Sequence, residues 1–179
     1  SFNSASENGG GIYNLGSNDL HISSSIFSGN QSNKGAGIFN YSTNNMTISS
    51  SSISGNISAD DGGGIYNKDN SPLTIISSTI TQNESSNRGG GIFNIQNSPT
   101  LIQNSTISLN SASTNGGGIY NNDTSSLTIT SSSISGNTSG NQGGGIYNIN
   151  NSPLTISSSS ISGNTTNNYG GGIYNKSSN

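Results

Sequence analysis

The sequence predicts an all-β protein, a parallel β-helix (β-solenoid) with about 27 residues and three short strands per coil. Three observations support this prediction. A motif recurs at a nearly constant spacing, each repeat holds segments with alternating apolar and polar residues, and turn-forming residues separate these segments. Only 26% of the residues are hydrophobic and 6% are charged. Such a chain fits a stack in which identical polar side chains hydrogen-bond to one another.

The motif GGGIYN, or a close variant of it, marks every repeat. It begins at Gly9, Gly35, Gly62, Gly89, Gly116, Gly143 and Gly170, with one spacing of 26 residues followed by five of 27. The shorter spacing arises between Asn30 and Gly35, which places a turn there, because turns tolerate deletions and strands do not. We therefore predict a single β-helix array over residues 1–179.

Each repeat contains three segments predicted to be strands, namely GGIYN, LTI and SISGN. Alternate residues of a strand face the same side. The apolar residues of these segments are therefore predicted to form four columns inside the stack, beginning at Ile12, Leu20, Ile22 and Phe27. In the fourth repeat, the segment 100–102 reads TLI and carries its leucine one position late. A bulge in the register is expected there.

An asparagine closes the third segment of every repeat. These residues are Asn30, Asn56, Asn83, Asn110, Asn137 and Asn164. One interpretation is a buried ladder in which each amide bonds to the amides above and below it. The other is an exposed turn residue that tolerates a left-handed backbone conformation.

An aromatic residue follows the isoleucine of every GGGIYN motif. These residues are Tyr13, Phe39, Tyr66, Phe93, Tyr120, Tyr147 and Tyr174. If the isoleucines point inward, alternation turns the rings outward, where they could contact glycans or a neighbouring fibre. The alternative is that the rings only stack on each other and cover the glycine-rich strand beside them. Another outward column, Thr47, Thr74, Thr128 and Thr155, raises ice binding as a minor alternative.

The remaining composition predicts neither catalysis nor a cofactor. There is no Cys, no apolar run long enough to cross a membrane, and the four cations are scattered, which predicts no nucleic-acid binding. His21, the sole histidine, is expected to face outward. Asp60 and Asp61 share a turn position with Lys34 and Arg88, and we expect a solvated turn with a weak surface ion pair there. We predict no catalytic residue, no metal site and no cofactor.

The GGGI and IxGN segments resemble the repeats of the chlamydial polymorphic outer-membrane proteins, whose signatures are GGA followed by I, L or V, and FxxN. Residues 27–30 read FSGN and match FxxN literally, while most copies have Ile for Phe, and Gly replaces the Ala of GGA. Similar repeats occur in many large bacterial surface proteins. The resemblance covers nearly the whole chain and implies a right-handed parallel β-helix with a secreted or surface-displayed passenger role.

The predicted function is a structural or adhesive extracellular β-solenoid at a bacterial surface, and not an enzyme. Its predicted partners are other copies of itself, by head-to-tail or lateral stacking, or surface glycans. We expect no capping element at Ser1 or at Asn179, and this expectation favours a fragment of a longer array or subunits stacked into a fibre. The alternative is a carbohydrate-binding or pectate-lyase-like polysaccharide-active module.

Overall fold

Each coil of this protein lies directly on the preceding one, and every strand pairs in parallel with its equivalent in the next coil. The structure is a computed structural model that describes residues 2–16, 18–42 and 44–177. The predicted β-solenoid is confirmed, with four parallel sheets running along its length. Ser1 and Asn179, on which the predicted absence of caps depends, lie outside the described residues.

The GGGIYN motifs form the first sheet and the LTI segments form the second. The seven strands of the first sheet are Ile12–Leu15, Ile38–Tyr41, Ile65–Lys68, Ile92–Ile95, Ile119–Asn121, Ile146–Ile149 and Ile173–Lys176. The six strands of the second sheet are Leu20–Ser23, Met46–Ser49, Leu73–Ile76, Thr100–Gln103, Leu127–Thr130 and Leu154–Ser157. A turn of two left-handed residues, such as Asp69 and Asn70, connects the two sheets in several coils.

The SISGN segments form the third sheet, and a fourth sheet follows that the sequence patterns did not predict. The third sheet contains Ile26–Ser28, Ser52–Ser54, Thr79–Thr81, Thr106–Ser108, Ser133–Ser135 and Ser160–Ser162. The fourth contains Gln31–Ser32, Ile57–Ser58, Glu84–Ser85, Ser111–Ala112, Thr138–Ser139 and Thr165–Thr166. Two residues are too few to show an alternating pattern, so these strands read as turns in the sequence.

The four predicted apolar columns form the core of the solenoid. Ile38, Ile65, Ile92, Ile119 and Ile146 are fully buried in the column of the first sheet. They pack against the columns of the second and third sheets in one continuous cluster, and Phe27 begins the column of the third sheet as predicted. Since neighbouring coils lie ~4.8 Å apart, each isoleucine contacts copies of itself above and below. The core is therefore a stack of similar layers.

The bulge predicted in the fourth coil is wrong. Thr100 pairs with Leu73 below and Leu127 above, so the register of the second sheet continues without interruption. Thr100 occupies the inward position that leucine holds in neighbouring coils, and Leu101 points outward. The hydroxyl of Thr100 is buried and has no hydrogen-bond partner among the described residues. Parallel pairing with both neighbours thus outweighs the cost of one misplaced apolar side chain.

The glycine runs allow two parts of the backbone to approach closely. A Cβ added at Gly117 would lie 2.1 Å from the carbonyl oxygen of Thr138 and 2.6 Å from that of Gly144. Both neighbours are backbone atoms, so no side chain could turn aside to make room. The first glycine of each run, such as Gly116 with φ of 68°, also adopts a left-handed conformation. The GGG run is therefore a packing requirement at the corner before the first sheet.

Candidate functional site

The asparagines that close the third segment form the buried ladder, as the first of the two interpretations predicted. The Oδ1 atom of Asn83 accepts hydrogen bonds from the backbone nitrogen of Asn56 at 3.1 Å and from its Nδ2 at 2.8 Å. The Nδ2 of Asn83 donates to Oδ1 of Asn110 and to the carbonyl oxygen of Ile53, both at 3.0 Å. The left-handed residue is the one before the asparagine, such as Gly55 or Gln82. At this corner the asparagine side chain therefore bonds to a backbone N–H group and to a backbone C=O group of the preceding coil.

A second asparagine ladder, which the sequence analysis missed, runs through the GGGIYN motif. It consists of Asn14, Asn40, Asn67, Asn94, Asn121, Asn148 and Asn175. From Asn14 to Asn148, each Nδ2 donates to Oδ1 of the asparagine in the next coil at 2.7–2.8 Å. In four coils the same Nδ2 donates to a serine carbonyl oxygen four residues later, as in Asn94 to Ser98. The sequence did contain a signal for this ladder. In the motif an inward isoleucine is followed by an outward ring, so alternation turns the next residue, the asparagine, inward.

The predicted aromatic residues form one continuous column on the outer side of the first sheet. Adjacent ring centroids lie 4.8–5.1 Å apart, and the rings are stacked. Phe39, Tyr66, Phe93 and Tyr120 form an apolar cluster separate from the isoleucine core, and Tyr147 packs against it. Phe39, Tyr66, Phe93 and Tyr120 are between 1% and 7% exposed, whereas Tyr13 is 52% exposed.

This stacking decides what the column can contact. Sugars bind aromatic residues by lying on the face of a ring, and within the column each face is covered by the neighbouring ring. Only ring edges and phenol groups remain toward the outside. A role of these seven residues in glycan or partner contact therefore stays a prediction. The surface available for such contact is limited to ring edges and to the two end rings of the column, Tyr13 and Tyr174.

The expectation of a solvated turn around Asp61 is wrong. Asp61 is 2% exposed, and its carboxylate accepts hydrogen bonds from Nε and Nη2 of Arg88 at 3.0 and 2.9 Å. The guanidinium carbon of Arg88 lies 5.0 and 5.1 Å from the ring centroids of Phe93 and Tyr120. Arg88 thus covers the aromatic column while it pairs with the preceding coil. The ion pair between Lys34 and Asp60 matches the expectation better. Nζ of Lys34 lies 3.4 Å from Oδ2 of Asp60, and both side chains are partly exposed.

Burial controls the ionisation of this cluster. It raises the pKa of Asp61, against the hydrogen bond and the charge of Arg88, which lower it. For Arg88, burial lowers the pKa, but the hydrogen bond and charge of Asp61 outweigh it and the pKa is raised. Burial, with a smaller contribution from the Asp61 charge, raises the pKa of Tyr66 to about 12. The cluster therefore favours neutral phenols beneath a charged guanidinium.

The shift of Tyr66 predicts a specific loss of stability at high pH. A phenol whose pKa is higher in the folded state stabilises fully below its unfolded pKa, and the contribution is lost as the pH rises through the folded value of about 12. Urea unfolding measures the free energy of unfolding at pH 8 and at pH 12. Between these two pH values it should fall by up to about 2 kcal/mol more in the unmodified protein than in Tyr66→Phe. At pH 8 the free energies of unfolding of the two proteins should agree within about 0.5 kcal/mol. Equal losses in both proteins at high pH would contradict the buried phenol.

The other predicted positions lie apart from this cluster. His21 is exposed, and the threonine column Thr47, Thr74, Thr128 and Thr155 faces outward from the second sheet. Within the described ranges, no group of three or more His, Cys, Asp or Glu side chains could hold a metal ion. The same part of the chain contains no helix long and apolar enough to cross a membrane.

The fold and its ladders define a class, the parallel β-solenoid repeat proteins, and the family comparison agrees with this class. Residues 50–68, 131–149 and 158–176 match the Chlamydia polymorphic membrane protein (Chlamydia_PMP) repeat. The predicted resemblance is thus confirmed at three repeats. Each match begins just before a third-sheet strand and ends on the following first-sheet strand, and so includes one asparagine of each ladder. No curated protein and no solved structure matches the chain.

Proposed function

We propose that this protein is a non-catalytic structural segment of a bacterial surface protein, a rigid passenger that holds other parts away from the cell. The three matches to the chlamydial repeat, all in the same phase of an uninterrupted solenoid, support this proposal most strongly. A family of outer-membrane proteins implies a bacterial surface protein, and the fold fits a structural passenger of such a protein.

The energetics of the coil suit this role. Each coil adds ~4.8 Å of length and brings a repeated set of contacts: four apolar residues, two asparagine amides and one aromatic ring. Stability in such an array comes from each coil and its contact with the next one, so the length can change without a new fold. Side chains that bond only to their own copies leave the outer surface free for adhesion or lateral packing.

Labelling of intact cells tests the proposal. Antibodies raised against the folded chain should bind unpermeabilised cells of the source organism, and mild external protease should remove the signal while a cytoplasmic marker persists. Labelling only after permeabilisation would contradict the surface role. Electron microscopy of the purified protein at several concentrations would then distinguish filaments from discrete rods, and thus a fibre subunit from a passenger segment.

A further inference from the structure

Cations cover the middle of the aromatic column. The guanidinium carbon of Arg88 lies 5.0 Å from the ring centroid of Phe93 and 5.1 Å from that of Tyr120. In the same way, Nζ of Lys34 lies 5.9 Å from the ring centroid of Tyr66. These three rings are between 1% and 4% exposed. The middle coils of the column are therefore closed to a ligand.

The cover ends two coils beyond Arg88. The position before the glycine run is occupied there by Gln142, a neutral side chain that is shorter than arginine. Tyr147 and Tyr174 are accordingly only partly buried. A cavity of about 300 Å³ opens beside them, at the lower end of the size range of small-ligand pockets. We call it the tyrosine cavity, and it is lined by Gln142, Tyr147, Ile149, Asn150, Tyr174 and Lys176.

The first sheet places four of these side chains in register. Tyr147 and Ile149 alternate outward on one strand, and they pair with Tyr174 and Lys176 of the next coil. The two phenol rings are stacked with their centroids 5.1 Å apart. Between the two rings, the cavity therefore meets ring edges and phenol groups and not an open ring face. A ligand in this position has an ammonium group and an aliphatic side chain beside the phenols.

Four polar groups of the tyrosine cavity have no hydrogen-bond or ion-pair partner in the part of the chain that the structure describes. They are the phenol oxygens of Tyr147 and Tyr174, the side-chain amide of Gln142 and Nζ of Lys176. The phenol of Tyr120, one coil earlier, differs, because its oxygen accepts from Arg88 and Asn122 at 3.5 and 3.4 Å. Burial raises the pKa of Tyr147, so its phenol stays neutral and can both donate and accept. The cavity therefore presents unpaired donors and acceptors to a ligand.

We infer that the tyrosine cavity binds an acidic sugar unit of a glycan, with the carboxylate on Lys176 and the sugar hydroxyls on the phenols and Gln142. Among the lining residues that the structure describes, Lys176 alone carries a charge, so no carboxylate there opposes a negative ligand. An ammonium group and a carboxylate form a strong, charge-assisted hydrogen bond. Phenol and amide groups both donate and accept, as sugar hydroxyls do. Ile149 provides an apolar contact for the C–H groups of the sugar ring.

The charge of the whole chain makes such binding selective. The chain has a net charge of -3, so an acidic glycan is repelled at long range and is held only where a local cation meets it. The proposed structural role rests on the contacts between coils and not on this cavity. Failure of the sugar site would therefore leave that role intact, and failure of the surface labelling would leave the sugar site intact.

Two tetrasaccharides test the site by isothermal titration calorimetry. One is a hyaluronan tetrasaccharide, which carries glucuronate carboxylates, and the other is neutral chitotetraose. The acidic tetrasaccharide should bind at least about tenfold more tightly than the neutral one. Lys176→Gln should weaken binding of the acidic tetrasaccharide at least about tenfold, because the carboxylate loses its ammonium partner. Tyr147→Phe should weaken it about threefold, since it removes one phenol group and keeps the stacked ring.

Lys68→Gln is the matched control. Lys68 and Lys176 each follow the asparagine of a GGGIYN motif, and both substitutions change the net charge equally. Nζ of Lys68, however, lies 5.4 Å from the ring centroid of Tyr41 and outside the cavity. This variant should bind the acidic tetrasaccharide as tightly as the unmodified protein. The inference is overturned by the absence of saturable binding of the hyaluronan tetrasaccharide, by equal affinity for both tetrasaccharides, or by equal losses in Lys68→Gln and Lys176→Gln.

Discussion

We expect Ile119→Asp to be the most damaging single substitution, with a loss of more than about 5 kcal/mol in the free energy of unfolding. Ile119 is fully buried in the middle of its column, between Ile92 and Ile146. The substitution removes the contacts of the isoleucine and places a carboxylate where no cation can reach it. Because coils interact mainly with their neighbours, the defect should also uncouple the two halves of the array.

Two further variants separate this effect from a general intolerance of the region. Ser133→Asp introduces the same carboxylate at an outward position of the third sheet and should cost less than about 1 kcal/mol. Ile119→Ala should cost about 2–5 kcal/mol and remain folded enough for measurement. Urea unfolding followed by circular dichroism provides all three values. Unchanged stability in Ile119→Asp would show that this column does not face the core.

The second large effect is expected for Asn110→Ala, with a loss of about 4 kcal/mol. The Oδ1 of Asn110 accepts from the backbone nitrogen and the Nδ2 of Asn83, both at 3.0 Å. Its Nδ2 donates to the carbonyl oxygen of Ile80 and to Asn137 at 3.0 and 2.9 Å. Alanine would leave the partners of these four bonds unpaired inside the protein, where water cannot replace the lost amide. An unpaired buried group costs more than the bond itself contributes.

The matched control for the ladder is Asn168→Ala. Its amide also bonds to the equivalent asparagine of the neighbouring coil, Asn141, but that pair is exposed. Water can satisfy Asn141 after the substitution, so the cost should stay below about 0.5 kcal/mol. Similar losses in Asn110→Ala and Asn168→Ala, from urea unfolding of both variants, would mean that burial of the ladder contributes nothing.

The sequence predicted those features of the fold that recur in every repeat. The column from Ile12 to Ile173 and the ladder from Asn30 to Asn164 repeat at the coil period, and identical residues at that period lie on top of each other in a solenoid. The second ladder, from Asn14 to Asn175, follows from the same alternation. It was missed because the GGGIYN motif was interpreted from its isoleucine and aromatic residue and not from its asparagine. Serine ladders such as Ser78 to Ser105 gave no signal, because serine is common at every other position too.

Features confined to one or two coils could not be predicted in this way. Asp61 is buried because Arg88 of the next coil and the aromatic column enclose it, which depends on side chains from several coils at once. The register at Thr100 is maintained by Leu73 and Leu127, whose backbones pair whether the side chain between them is apolar or not. Both are cases in which tertiary contacts overrode the local pattern.

Distance measurement between spin labels tests the stacking of coils most directly. The chain contains no cysteine, so label pairs can be placed at Ser28 with Ser162 and at Ser54 with Ser162, all outward positions of one third-sheet column. Stacking in register predicts narrow distributions centred near ~24 Å and ~19 Å, five and four coil spacings apart, in pulsed electron paramagnetic resonance. Broad distributions, or separations that do not shorten by one coil spacing between the two pairs, would contradict the solenoid.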